Sequence, residues 1–188
     1  MRKIKFLIIF FLVVCTIGCG GGKEENKQAG AQVQQQKVPQ PEISEKKLIT
    51  GKTVQMVTDI FKGLSEPVEL IYFTQELECQ FCADTRQLLT EVADYSGKVD
   101  LVVYDFVKDK QIAGQYGVDK IPATVIKAKS GADKGIKYYG IPAGYEFSTF
   151  LESIKLVSTG NHGFSEEVMA KIQTINEPVH LQVIVTPT

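Results

Sequence analysis

Two cysteines separated by two residues, Cys79-Gln80-Phe81-Cys82, fall where one backbone pattern gives way to another. Before them, Val68-Glu69-Leu70-Ile71-Tyr72-Phe73-Thr74 is rich in β-branched and aromatic residues and reads as a strand. After them, Ala83-Asp84-Thr85-Arg86-Gln87-Leu88-Leu89 has helical spacing. A strand, a short acidic loop and a helix opening at the cysteines point to an α/β fold. Two intervening residues on a first helical turn let the sulfurs approach to bonding distance. The first sulfur then lies beside amides that have no partner inside the helix, and these donors favour a thiolate together with the helix dipole. Cys79 is accordingly read as the attacking sulfur and Cys82 as the resolving one.

Two plainer readings stand beside the redox one. A CxxC is also half of a four-coordinate zinc site, which needs two further ligands. The remaining cysteines, Cys15 and Cys19, lie in an N-terminal apolar stretch, and His162 and His180 form no ligand-like pair. An inert structural disulfide is the other alternative. Redox chemistry is expected, with no metal and no cofactor beyond the oxidation state of the pair.

The N-terminal residues have a basic start, an apolar run over 6–14 and a small-residue stretch ending in Gly18-Cys19-Gly20-Gly21-Gly22. The run is short for a membrane span and has the proportions of a secretory signal. Gly18 before Cys19 resembles the cleavage site of bacterial lipoproteins, which implies lipidation of Cys19, although Thr16 stands where such sites usually carry Leu. A retained anchor is the other reading, and both tether an exported domain to a membrane, in a bacterial envelope or periplasm. Disulfides persist in such compartments. Arg2, Lys3 and Lys5 belong to this head and no acidic residue precedes Glu24. The rest of the chain therefore carries 18 of the 21 basic side chains against all 22 acidic ones, a mildly acidic balance without the footprint of a nucleic-acid surface. The expected organisation is a signal over 1–19, a Gly-, Gln-, Lys- and Pro-rich flexible linker over 20–43, a folded domain over 44–160 and a further segment over 161–188.

Within the domain, the spacing of Leu48, Val54, Val57, Ile60, Phe61 and Leu64 predicts a helix over about 45–64. A strand over 68–74, a helix to about 95, a strand over 99–106 and a helix over 108–116 form a parallel βαβ unit. Ile121-Pro122 heads the next strand, where a missing amide is tolerated. The turn-rich stretch 129–135 joins strands 124–127 and 136–139 into a hairpin, and a helix ends near Ser158. Tyr138, Tyr139 and Tyr145 are read as packing and hydrogen-bonding residues rather than catalytic ones.

Three stretches carry a specific resemblance: Glu78-Cys79-Gln80-Phe81-Cys82-Ala83-Asp84-Thr85, residues 117–124 around Ile121-Pro122, and residues 139–147 from Tyr139-Gly140-Ile141-Pro142 to Phe147. Together they resemble the N-terminal unit of the protein disulfide oxidoreductases, a glutaredoxin-like family built from two fused thioredoxin units, over most of 48–188. The resemblance implies a thioredoxin-like fold with a central mixed sheet flanked by helices. It assigns Cys79 and Cys82 to the redox pair, and makes Pro122 a cis proline facing them, with the Ile121 backbone available to an extended substrate. Family members carry a second CxxC in their second unit. Many thioredoxins also place a buried Asp beneath the cysteines. The aligned position here is read as Ile71, which leaves water or Glu76 for the proton.

Residues 177–186, Glu177-Pro178-Val179-His180-Leu181-Gln182-Val183-Ile184-Val185-Thr186, repeat residues 66–74 at an offset of 111, each copy following a helix-like stretch. A second, incomplete thioredoxin-like repeat is therefore expected from about 161, and His180, opposite Glu69, is read as a half-exposed strand residue. The functional expectation is a membrane-tethered thiol–disulfide oxidoreductase acting on protein dithiols and disulfides, with a possible redox partner protein. The alternative is a non-catalytic binding or chaperone-like lipoprotein module on the same fold.

Overall fold

Strand β1 (Val68–Thr74) is buried along its whole length except for the half-exposed Glu69, so both of its faces are covered. In the computed structural model, which describes residues 47–185 within the unit Gln40–Thr188, this strand is the centre of the domain. The expected signal, Cys19 and the linker over 20–43 lie outside the described residues. The remaining elements are α1 (Lys52–Lys62), α2 (Cys82–Asp94), β2 (Val99–Asp105), α3 (Lys110–Gln115), β3 (Ala123–Ala128), β4 (Ile136–Tyr139), α4 (Tyr145–Thr159) and α5 (Glu166–Ile172).

The sheet runs β2-β1-β3-β4. β1 and β2 are parallel, with Thr74 opposite Asp105, and α2 supplies the crossover. β3 runs antiparallel to β1, with Phe73 opposite Ala123, and β4 closes a hairpin that sets Ala123 opposite Tyr139. The carboxyl ends of β1, β2 and β4 therefore meet the amino end of β3 at one end of the sheet. Two bonds fasten that end: the Phe106 amide donates to the Thr74 carbonyl at 2.7 Å, and the Gly140 amide donates to the Pro122 carbonyl at 2.9 Å. This is the mixed, helix-flanked sheet of a thioredoxin-like fold.

Successive strand side chains point to opposite sides, so β1 feeds two cores. Leu70 and Tyr72 pack with Phe61 of α1, Leu88 and Leu89 of α2, and Phe150 and Leu151 of α4. Ile71 and Phe73 pack on the other side with Ala113 of α3, Val118 and Val125. Truncating a fully buried aromatic such as Phe73 costs about 3–5 kcal/mol in sites of this kind.

Two sequence expectations change. Helix α1 starts at Lys52, because Gly51 takes a φ of 55° and turns the chain out of helical geometry. The amides upstream find another acceptor. Both Leu48 N–H (2.9 and 3.0 Å) and Ile49 N–H (2.8 Å) donate to the Glu91 carboxylate of α2. The second difference lies in the repeat. α5 forms, with the Ser165 hydroxyl accepting from the Val168 amide at 3.4 Å. The copy of β1 that follows it carries no strand ladder over 178–185, and its apolar side chains are exposed rather than packed on the domain. β1 owes its own state to β2 and β3 on its two sides, and no such neighbours flank the copy among the described residues.

Candidate active site

The connection from β1 to α2 reverses direction within seven residues, and its sharpest point is Glu78, whose φ of 57° is a left-handed value uncommon outside glycine. Gln80 and Phe81 then form a turn in which the Cys82 amide donates to the Cys79 carbonyl at 3.4 Å. Cys79 and Cys82 are joined as a disulfide, with Cα atoms 5.4 Å apart. Helix α2 opens only at Cys82, with Phe81 as its N-cap, so Cys79 precedes the first helical turn instead of lying on it. The intervening pair is used by the turn that the disulfide closes.

The two sulfur-bearing residues differ in access. Cys82 is 3% exposed, whereas Cys79 is half-buried at the surface of the loop. Of the two, Cys79 is the one that another molecule can reach. The amides of Ala83 and Asp84, in the first turn of α2, have no acceptor within the helix and supply a positive dipole end next to the pair.

Beneath the pair lies a group of hydroxyls. The Tyr72 phenol donates to the Cys82 carbonyl at 2.8 Å, and the Thr85 hydroxyl donates to the Phe81 carbonyl at 2.6 Å. Tyr72 and Thr85 are wholly buried, and Thr74 nearly so. Burial raises the Tyr72 phenol above its ordinary range, against the opposing pull of the Thr74 hydroxyl, the Arg86 charge and the Thr85 hydroxyl, so it remains a neutral donor. Ile71, read from the sequence as the position under the cysteines, belongs to the opposite core with Phe73 and Ala113. The alternation of β1 holds the signal that corrects this, because Leu70, Tyr72 and Thr74 share the face that α2 covers. Glu76 is an exposed loop residue.

The Ile121–Pro122 peptide is cis, Pro122 is buried and Ile121 half-buried. Both residues precede β3 at the same end of the sheet as the cysteine loop. Next to them, the Lys120 ammonium lies 4.6 Å from the centre of the Tyr139 ring and 2.8 Å from the Asp119 carboxylate. Tyr138 bonds to the Ser153 hydroxyl at 2.9 Å and meets Phe150 edge-on, whereas Tyr145 and His180 are exposed. Among the described residues, no group of three or more His, Cys, Asp or Glu side chains is arranged to hold a metal ion.

No protein-family model matches the chain, and no curated protein matches it in sequence. Solved structures do match. The N-terminal domain of the alkylhydroperoxide reductase AhpF from Enterococcus faecalis superimposes with a TM-score of 0.62 at 23% identity, covering 67% of this chain and 60% of that one. A protein disulfide oxidoreductase from Aeropyrum pernix superimposes with a TM-score of 0.57 at 22% identity, covering 67% of this chain and 55% of that one. The likeness establishes the thioredoxin-like fold, and the chain spans between 55% and 60% of the length of these structures.

Proposed function

We propose that the protein is an exported, membrane-tethered thiol–disulfide oxidoreductase that exchanges disulfides with protein substrates through Cys79 and Cys82. The observation that supports this most is the difference in access across one disulfide: an outer sulfur on a surface loop and an inner one buried at a helix start. In the reducing direction the Cys79 thiolate attacks a substrate disulfide, forming a mixed disulfide and releasing one substrate thiolate. The Cys82 sulfur, losing its proton, then attacks Cys79. That step closes the protein disulfide and releases the second substrate thiolate, and the two protons of the protein thiols end on the two products. The oxidising direction is the reverse, and the reduction potential decides between them. No cofactor takes part.

The fold likeness to a protein disulfide oxidoreductase agrees with this chemistry, and Ile121-Pro122 at the same end of the sheet offers an extended substrate a backbone to pair with. Export and tethering rest on the N-terminal sequence alone, through lipidated Cys19 or a retained apolar head. Among the described residues, no helix is long and apolar enough to cross a membrane. Fatty-acid labelling in a bacterial host, present in the wild type and lost in Cys19→Ser, tests the tether. Insulin reduction by dithiothreitol tests the enzyme: the wild type accelerates it and Cys79→Ser does not. Equal rates would favour the non-catalytic binding module instead.

A further inference from the structure

The apolar side chains that the domain leaves in solvent are not scattered. Between Leu48 and Tyr145, the exposed large ones are Leu48, Met56, Leu77 (78%), Phe81 (44%), Val107 (67%), Tyr139 (40%) and Tyr145 (87%). Only the first two lie away from the cysteines. Leu77 and Phe81 flank Cys79 in its own loop. Val107 follows the carboxyl end of β2, Tyr139 ends β4, and Tyr145 opens α4 after the short connection from β4. The strand directions bring all five to the end of the sheet that carries the disulfide. The bonds from Phe106 to Thr74 and from Gly140 to Pro122, with Lys120 over the Tyr139 ring, tie these loops together. Scattered exposed apolar residues need no explanation, but five of them at the end of the sheet that carries one reactive bond do.

The charge at this end is acidic. Glu76, Glu78 and Asp84 are exposed and bracket the two cysteines. Of the cations nearby, Lys108 is 3.4 Å from Asp105 and Lys120 is 2.8 Å from Asp119. Arg86 and Lys110 equal Asp109 and Glu146 in number over the same loops and helix starts, so by formal charge Glu76, Glu78 and Asp84 are the surplus.

We infer that this end docks extended polypeptide in which a cysteine is flanked by apolar and basic residues, and that it discriminates against anionic thiols such as glutathione. The inference rests on the proposed exchange chemistry and names its substrate class. Leu77, Phe81 and Tyr145 cover the apolar neighbours of the incoming cysteine, while Glu76, Glu78 and Asp84 attract its basic flanks and repel a carboxylate-bearing tripeptide. The chemical step is unchanged: one substrate disulfide is reduced to two thiols as the protein dithiol is oxidised.

The test compares three disulfides with the reduced full-length protein. Two are homodisulfides of five-residue cysteine peptides with Leu and Phe beside the cysteine, one with Lys and the other with Glu at both ends. The third is glutathione disulfide. The expected order is the Lys peptide first, about tenfold faster than the Glu peptide at low ionic strength, with glutathione slowest and the gap narrowing as salt is added. Glu76→Gln with Glu78→Gln reduces the preference for Lys over Glu. Leu77→Ser with Tyr145→Ser reduces the preference for the Lys peptide over glutathione by about threefold or more, and Met56→Ser leaves that ratio unchanged. Exchange with all three disulfides at equal rates, or an equal loss in Met56→Ser, overturns the inference while the oxidoreductase reading stands. Failure to exchange with any of them overturns both.

Discussion

The Tyr72 hydroxyl reaches from the central strand to the carbonyl of Cys82, 2.8 Å away and buried, and so fastens the first turn of α2 to the sheet. Cys82 is held from below by a neutral donor, and it is the less accessible of the two cysteines. The bond links the strand that organises the core to the residue that closes the disulfide.

Replacing Tyr72 by Phe removes the donor and leaves a buried carbonyl without it, while the ring still fills its space. A lost partner for a buried polar group costs about 1–3 kcal/mol. Equilibrium unfolding in urea should show a lower midpoint for Tyr72→Phe with an unchanged slope. An unchanged midpoint would mean that the Thr74 hydroxyl, which also neighbours the phenol, takes over the carbonyl.

The difference in access between the cysteines gives the two single variants different fates. With Cys82→Ser, attack from Cys79 proceeds and resolution does not, so a mixed disulfide with substrate accumulates and is visible on a non-reducing gel. With Cys79→Ser, the remaining sulfur is buried and trapping should fall by at least about tenfold. Equal trapping by both variants would reverse or abolish the assignment of attacking and resolving roles.

Those elements whose residues all report one pattern were legible in the sequence. β1 and the hairpin of β3 and β4 around residues 129–135 have the strand and turn chemistry they adopt. The start of α1 was not legible, since the apolar spacing runs through Gly51 while one backbone angle ends the helix there. Of the candidate site's geometry, the closeness of Cys79 to Cys82 and the proline that heads β3 were legible in the sequence. Tyr72 is hard to single out because Ile71 beside it is equally apolar, and a shift by one exchanges the two faces of a strand. The copy of β1 over 177–186 has a strand's composition, but composition cannot supply the neighbouring strands that make one.

A second contact invisible to local pattern joins the end of α4 to the approach to β1. The Ser65 amide donates to the Ser158 hydroxyl at 3.0 Å, and that hydroxyl donates to the Glu66 carbonyl at 2.6 Å. The Ser65 hydroxyl in turn donates to the Ser158 carbonyl at 2.6 Å. Ser158 is 2% exposed, and Ser158→Ala removes both hydrogen bonds of its hydroxyl, each worth about 0.5–1.5 kcal/mol, so it should lower stability by about 1–3 kcal/mol. Ser153→Ala, on the same helix but half-exposed, should cost less than about 1 kcal/mol in the same urea titration.

The strap formed by Leu48 and Ile49 makes part of the stability depend on pH through Glu91. Burial by itself would raise the carboxyl, but the Ile49 and Leu48 amides, the Gln87 side chain and the Lys47 charge outweigh it and hold Glu91 below its ordinary range. The unfolded chain then binds this proton more readily than the folded one. The contribution is complete above the ordinary glutamate range and is lost as pH falls through the lower folded value. Glu91→Gln keeps a carbonyl acceptor but removes the charge, which at neutral pH should cost about 1–2 kcal/mol of charge-assisted bonding. Asp105, also held low, by the Lys108 amide first, titrates in the wild type and the variant alike, so the difference between their urea midpoints isolates Glu91. That difference should be largest near neutrality and shrink towards zero in acid. A gap of constant size across the whole range would show that the carboxylate's charge contributes nothing to holding the strap.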